Sequence, residues 1–221
     1  MGWTRGLQRR LADQSVAIVG HSDFTAIQCA LFVQANVKTF FGGPMFAGDF
    51  GAEEASNFTM RHFWQVITHS TLMVTSNAPQ HESVDARGML WGGNIAILAS
   101  LVGTPYLPPV EGEILFIEDV NEHPFRIERM LYQLHLAGML GRQQAVVMGE
   151  FSGVRLADYY NGYSLDAMIE QVRTVTGIPI ITGLQFGHID DLLTLPFGAS
   201  AHLVANERGF SLRLSDYPHL A

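Results

Sequence analysis

A serine follows a short apolar run near the start of the chain. Val16–Val19 leads into Gly20-His21-Ser22-Asp23-Phe24-Thr25, and residues 26–35 are compatible with a helix. A strand, a sharp turn and a helix in this order expose a nucleophilic serine in many hydrolases, with the helix N-terminus directed at the oxyanion. Phe24 stands where such a turn usually has a second glycine, and an N-capping role for Ser22 or Asp23 is the alternative interpretation.

A serine hydroxyl at neutral pH needs a histidine as base and a carboxylate that orients the histidine. Of the nine histidines, His188 lies in a loop that follows a predicted buried strand, where α/β proteins place functional residues. Glu118 ends another predicted buried strand. His188 could equally be a surface histidine, and Glu118 a capping or ion-paired acid. The acids that compete with Glu118 are Asp119, Glu122 and Glu150.

Histidines next to carboxylates also permit a metal-dependent hydrolase. The relevant stretches are His21-x-Asp23, Glu122-His123 and His188-x-Asp190-Asp191. Their spacing matches no established metal motif. The chain also lacks the glycine-rich motifs of nucleotide-binding loops, so a nucleotide cofactor is not predicted.

Charge and cysteine content restrict the class of protein. The net charge of −8 over 221 residues argues against nucleic acid or an anionic membrane surface as the main partner. The single cysteine, Cys29, cannot form an internal disulfide. No apolar run reaches the length of a membrane span, and no secretory signal is recognisable. We therefore expect a cytoplasmic protein.

Predicted strands and helices alternate along most of the chain, which predicts the α/β class. A short helix is expected from the spacing of Trp3, Leu7 and Leu11. Three segments near the C-terminus predict a small antiparallel ending, with a turn at residues 206–209: Thr194–Phe197, His202–Ala205 and Phe210–Leu214. Polar, turn-rich residues after the third predicted helix suggest a domain boundary. We predict an N-terminal domain at 1–75 that bears the nucleophile, a linker at 76–90 and a C-terminal domain at 91–221.

Several motifs together resemble the LD-carboxypeptidase family of serine peptidases, in its muramoyltetrapeptide carboxypeptidase branch. They run in family order along nearly the whole chain: Gly20–Ala26, Trp91-Gly92-Gly93-Asn94, Gly103-Thr104-Pro105, Leu115–Pro124, Arg126–Leu131, Thr182–His188 and Thr194–Gly198.

The resemblance implies a triad of Ser22 as nucleophile, His188 as general base and Glu118 as the orienting acid. It implies a doubly wound, Rossmann- or flavodoxin-like N-terminal domain, of which this chain has a part, and a C-terminal α/β domain that bears the Glu and His. It also implies a homodimer, no metal, no cofactor and murein tetrapeptides as substrates, from which the terminal D-alanine is removed. The Asp23 N–H would serve the oxyanion.

Further candidates concern substrate binding. Gly93 and Asn94 lie in one of the matching motifs, and Arg126 could bind the free carboxylate that an exopeptidase must recognise.

The sequence departs from the family at its beginning. Family members carry a longer segment before the serine strand, including an Arg-Gly-Gly-Tyr-Gly loop that supplies a second oxyanion donor. A catalytically impaired, truncated fragment or a peptide-binding module is therefore the alternative to an active enzyme.

Overall fold

The computed structural model describes residues 16–44, 56–154 and 161–220, together with residues 6, 10 and 11. The short helix predicted from Trp3, Leu7 and Leu11 lies mostly outside the described residues. No helix within the described ranges is long and apolar enough to cross a membrane.

Five α-helices and ten strands are found in these ranges. The helices are α1 (Thr25–Ala35), α2 (Asn57–Thr68), α3 (Ile95–Ser100), α4 (Pro124–Leu136) and α5 (Leu165–Thr176). The strands are β1 (Val19–Gly20), β2 (Thr39–Gly42), β3 (Thr71–Ser76), β4 (Val84–Asn94), β5 (Ile114–Val120), β6 (Ala145–Ser152), β7 (Ile180–Ile181), β8 (Thr194–Phe197), β9 (Ser200–Asn206) and β10 (Gly209–Ser215). Their order confirms the α/β class.

The described strands form two sheets. The smaller has the order β1-β2-β8, and the larger has the order β3-β10-β9-β4-β5-β6-β7. Strand β4 joins two kinds of pairing in the larger sheet: residues 84–89 pair antiparallel with β9, and residues 90–94 pair parallel with β5. Parallel pairing continues through β6 and β7. The C-terminal ends of β4 and β5 therefore lie side by side, with Asn94 opposite Glu118.

The predicted linker at 76–90 contains an ordered strand segment. Residues 84–90 are the first part of β4, in which Ala86 is buried and its neighbours Asp85 and Arg87 are exposed. The stretch is polar because one face of this antiparallel part of the sheet meets solvent. Trp91–Asn94 is the buried end of the same strand.

The predicted antiparallel ending is correct for two of its three strands. β9 and β10 form a hairpin in which Asn206 pairs with Gly209. Thr194–Phe197 instead pairs with β2 in the smaller sheet. The reason is the turn after it, where Gly198 has a φ of +88° and its N–H donates to Leu90 O, so that the chain changes sheets at this point. The division into domains 1–75 and 91–221 stays a prediction, and the β2–β8 pairing crosses it.

Candidate active site

Ser22 lies in a strained turn between β1 and α1. It begins a single 3-10 turn, Ser22–Phe24, and has a φ of +56°, which is uncommon for a residue other than glycine. The Phe24 ring folds back over Gly20, so that a Cβ on Gly20 would lie 1.9 Å from Phe24 Cδ1. The strand, turn and helix predicted around Ser22 are thus present. The packing of Phe24 requires glycine at position 20, two residues before the serine.

Thr25 fixes the helical side of this turn. Its Oγ1 donates to Ser22 O at 2.7 Å and accepts the N–H of Asn94 at 3.1 Å. Thr25 is fully buried. One hydroxyl therefore connects the serine turn to the end of β4.

Glu118 lies at the C-terminal end of β5, and its side chain is fully buried. Its Oε2 lies 2.8 Å from His188 Nδ1, and its Oε1 accepts from Asn94 Nδ2 at 3.3 Å. Both carboxylate oxygens thus have a partner, as a buried carboxylate requires. This pairing leaves His188 Nε2 as the nitrogen able to accept a proton.

The loop that carries His188 is held against β6. Ser152 Oγ donates to His188 O at 2.9 Å, and Glu150 N donates to Phe186 O at 2.7 Å. Gly187 has a φ of +140°, and a Cβ there would lie 2.8 Å from Glu150 O. The hydrogen bond to Glu118 raises the pKa of His188 above its ordinary value of 6.5.

His21 connects the serine turn to His188. The centroids of the two imidazole rings are 4.6 Å apart, and the edges of Phe41 and Phe186 enclose the His21 ring. Burial lowers the pKa of His21 below 6.5, so its ring is neutral at pH 7. Ser22 directly follows His21 in the chain.

The acids that competed with Glu118 have other surroundings. Asp119 accepts from Asn94 Nδ2 at 3.0 Å and from Ala96 N at 3.1 Å, at the start of α3. Burial raises the pKa of Asp119. Glu122 pairs with Arg126 at 2.5 Å, and Glu150 is exposed.

The three residues considered for substrate binding are placed differently from one another. Gly93 is buried, and a Cβ there would lie 2.5 Å from Phe41 Cε2 and 2.7 Å from Thr25 Oγ1. Asn94 is also buried, and its side chain bonds to Glu118 and Asp119 and caps α3. Arg126 is half-exposed on the first turn of α4. Substrate contact by any of them remains a prediction.

Sequence reasoning missed the role of Thr25 and considered His21 only as a metal ligand with Asp23. The sequence position of Thr25 could have indicated its role, because a hydroxyl three residues after the serine can form a hydrogen bond back to the turn. Among the described residues, none of the histidine–carboxylate stretches named in the sequence forms a possible metal-ligand group by itself. The structure groups His21 with Glu118 and His188, and ligand atoms of the three lie within 4.8 Å of one another.

A buried carboxylate, a histidine bonded to it and a serine on a strained strand–helix turn define a serine-hydrolase type of site on an α/β fold. Residues 87–203 match the model of the LD-carboxypeptidase C-terminal domain. The chain belongs to the LD-carboxypeptidase family.

Individual relatives agree with this assignment. The chain is 31% identical over 192 residues to a protein of Bacillus subtilis named "Probable murein peptide carboxypeptidase", an alignment that covers 86% of this chain and 60% of that protein. The crystal structure of muramoyltetrapeptide carboxypeptidase from Oxalobacter formigenes is 43% identical, with a TM-score of 0.90 over 96% of this chain and 73% of that chain.

A more distant likeness concerns the fold alone. An MccF-like protein from Bacillus anthracis is 24% identical, with a TM-score of 0.76 over 90% of this chain and 67% of that chain. The chain spans about 60% of the length of the first curated relatives that it matches.

Proposed function

We propose that this chain carries the catalytic site of a serine LD-carboxypeptidase that removes the terminal D-alanine from murein tetrapeptides in cell-wall recycling. The observation that carries the proposal is the 2.8 Å contact between His188 Nδ1 and Glu118 Oε2, together with a serine at a φ of +56° on the turn before α1. The substrate class comes from the names of the two relatives at 31% and 43% identity.

In the proposed reaction, Ser22 Oγ attacks the carbonyl of the terminal peptide bond while His188 Nε2 takes the hydroxyl proton. The C–N bond breaks as His188 returns that proton to the amine of the departing D-alanine. Water then attacks the acyl-enzyme ester by the same route, with His188 again as base. Glu118 keeps the Nδ1 tautomer of His188 fixed and stabilises the imidazolium that forms in each half-reaction.

The tetrahedral oxyanion needs hydrogen-bond donors in place before the reaction begins. The N–H of Asp23 follows the nucleophile directly and is our candidate for one donor. The N-terminal end of α1, which begins at Thr25, adds a favourable electrostatic field for a negative charge.

Asn94 acts in this scheme as a positioning residue, because its amide bonds to both Glu118 and Asp119. Arg126 is the proposed partner of the terminal carboxylate. Its exposed side chain would have to exchange Glu122 for the substrate. A homodimer and a cytoplasmic location are parts of the same proposal.

The test is the release of D-alanine from purified murein tetrapeptide by the wild-type chain and by Ser22→Ala. We expect release by the wild type that is unaffected by EDTA, and loss of release in the variant. Equal rates in the two proteins would overturn the serine mechanism. Activity that disappears on chelation would favour the metal-dependent alternative.

A further inference from the structure

The imidazole of His21 lies within the candidate site and has no role in the proposed chemistry. Its Nδ1 is buried and has no hydrogen-bond partner in the part of the chain that the structure describes. The proposed peptidase chemistry gives the ring no proton to move. A buried nitrogen without a partner is unfavourable, and a metal ion is one of the partners that an imidazole accepts.

Two further potential ligands, Glu118 and His188, lie close to His21. Ligand atoms of His21, Glu118 and His188 lie within 4.8 Å of one another. Two histidines and a glutamate form a recognised protein ligand set for zinc, with Zn–N and Zn–O distances near 2.0–2.2 Å. Ligand atoms around a tetrahedral zinc are about 3.3 Å apart, so side-chain shifts of about an ångström would complete the set.

The electrostatic surroundings also favour a cation. The carboxylates of Glu118 and Asp119 lie close to each other, because both accept from Asn94 Nδ2, so negative charge is concentrated beside His188.

We infer that His21, Glu118 and His188 form a zinc site whose occupation inhibits the enzyme. A zinc ion on His188 Nε2 would take the lone pair that accepts the serine proton. A zinc ion on His188 Nδ1 would displace the proton shared with Glu118. In either case His188 can no longer act as the base. The inhibition rests on the proposed function, whereas the binding site does not.

The direct test is a zinc titration of untagged, EDTA-treated protein in competition with a chromophoric zinc indicator. We expect one zinc ion per chain. His21→Phe keeps an aromatic ring between Phe41 and Phe186 and removes the ligand. Glu118→Gln removes the carboxylate. Each should weaken zinc binding at least about tenfold, since even the loss of a residue that only orients a ligand has an effect of about 10–100-fold.

A matched control is available on the large sheet. His202 Nε2 lies 2.8 Å from Asp85 Oδ1, which is a histidine–carboxylate pair outside the candidate site. His202→Gln should leave the zinc affinity unchanged, and magnesium should not compete, because it prefers oxygen ligands in octahedral geometry. Absence of stoichiometric binding would overturn the inference. So would loss of binding in His202→Gln with retention in His21→Phe.

The second measurement is D-alanine release at increasing zinc. The rate should fall in proportion to the occupancy found by titration and should return on adding EDTA. Undiminished release from zinc-saturated protein would overturn the inhibition. If no D-alanine is released even without zinc, the proposed function fails, and the titration still decides the metal site.

Discussion

Thr25 Oγ1 accepts the N–H of Asn94 at 3.1 Å, across 69 residues of sequence. Thr25 begins the helix behind the serine, and Asn94 ends the strand next to Glu118. The same Thr25 hydroxyl donates to Ser22 O. The position of Ser22, the proposed nucleophile, relative to Glu118, the proposed acid, therefore depends on one buried side chain that takes no part in the proposed chemistry.

Replacing Thr25 by valine keeps the shape of the side chain and removes both hydrogen bonds. The Asn94 N–H and the Ser22 carbonyl then lose their partner, and we expect the free energy of unfolding to fall by about 1–3 kcal/mol. We also expect kcat to fall, because the turn is no longer held. Urea unfolding and the D-alanine assay measure the two effects. Thr25→Ser retains the hydroxyl and is the control; a valine variant as stable and as active as the serine variant would contradict this role.

Glu118 should determine the acid limb of the pH profile. Only neutral His188 can take the serine proton, and the hydrogen bond to Glu118 raises its pKa above 6.5. Activity should therefore rise with pH through a value above 6.5. Glu118→Gln removes the negative charge, so the limb should move to lower pH while the maximal rate falls by about 10³–10⁴-fold.

The measurement is kcat/KM as a function of pH for the wild type and both glutamine variants, Glu118→Gln and Glu150→Gln. Glu150 is exposed and was one of the competing acids, so its variant should keep the wild-type limb. If the acid limb of the pH profile shifts in Glu150→Gln and does not shift in Glu118→Gln, the assignment of Glu118 as the orienting acid is wrong.

Gly92 should be required for the packing of β4 against β5. A Cβ there would lie 1.8 Å from Phe116 O, at a φ of +144°. Because the clashing atom is backbone, Gly92→Ala must displace the strand that carries Glu118. Gly103→Ala is the matched control, since Gly103 also has a positive φ, +81°, but no atom within 4 Å of the added Cβ.

Both alanine variants carry the strain of a positive φ, on the order of 1–3 kcal/mol. Gly92→Ala should lose about 1–3 kcal/mol more, the usual effect of forcing extra volume into a packed interior. Urea unfolding of the two variants measures the difference. Equal stabilities would show that β4 accommodates the methyl group without a shift.

The order of strands and helices was predictable because each element has a recognisable local pattern of apolar and polar residues. Ile114–Ile117 and Ala145–Met148 are short apolar runs of the kind found in buried parallel strands, and both are strands with almost no exposure. Ser22, Glu118 and His188 were singled out because each follows such a run or the loop after it. The contact between Glu118 and His188 agrees with the general placement of functional residues at the carboxyl edge of a sheet.

Long-range pairing was not predictable in the same way. Nothing local in Thr194–Phe197 indicates that it pairs with β2 rather than with β9. Residues 84–90 resemble a linker in sequence, because the side chains on the solvent-facing side of this strand segment are polar. Thr25 and Asn94 were not connected, because a hydrogen bond across 69 residues leaves no spacing pattern. Gly92 and Gly93 lie inside a strand where neighbouring atoms approach closely, and no local pattern indicates this.

The central claim is that His188 and Glu118 activate Ser22 as a nucleophile. A fluorophosphonate tests it without a peptide substrate, since an activated serine forms an Oγ–P bond and releases fluoride. We predict a single adduct on the intact wild-type chain by mass spectrometry, mapped to Ser22 after digestion, and no adduct on Ser22→Ala or His188→Ala. An adduct on another residue, or equal labelling of Ser22→Ala, would contradict the account.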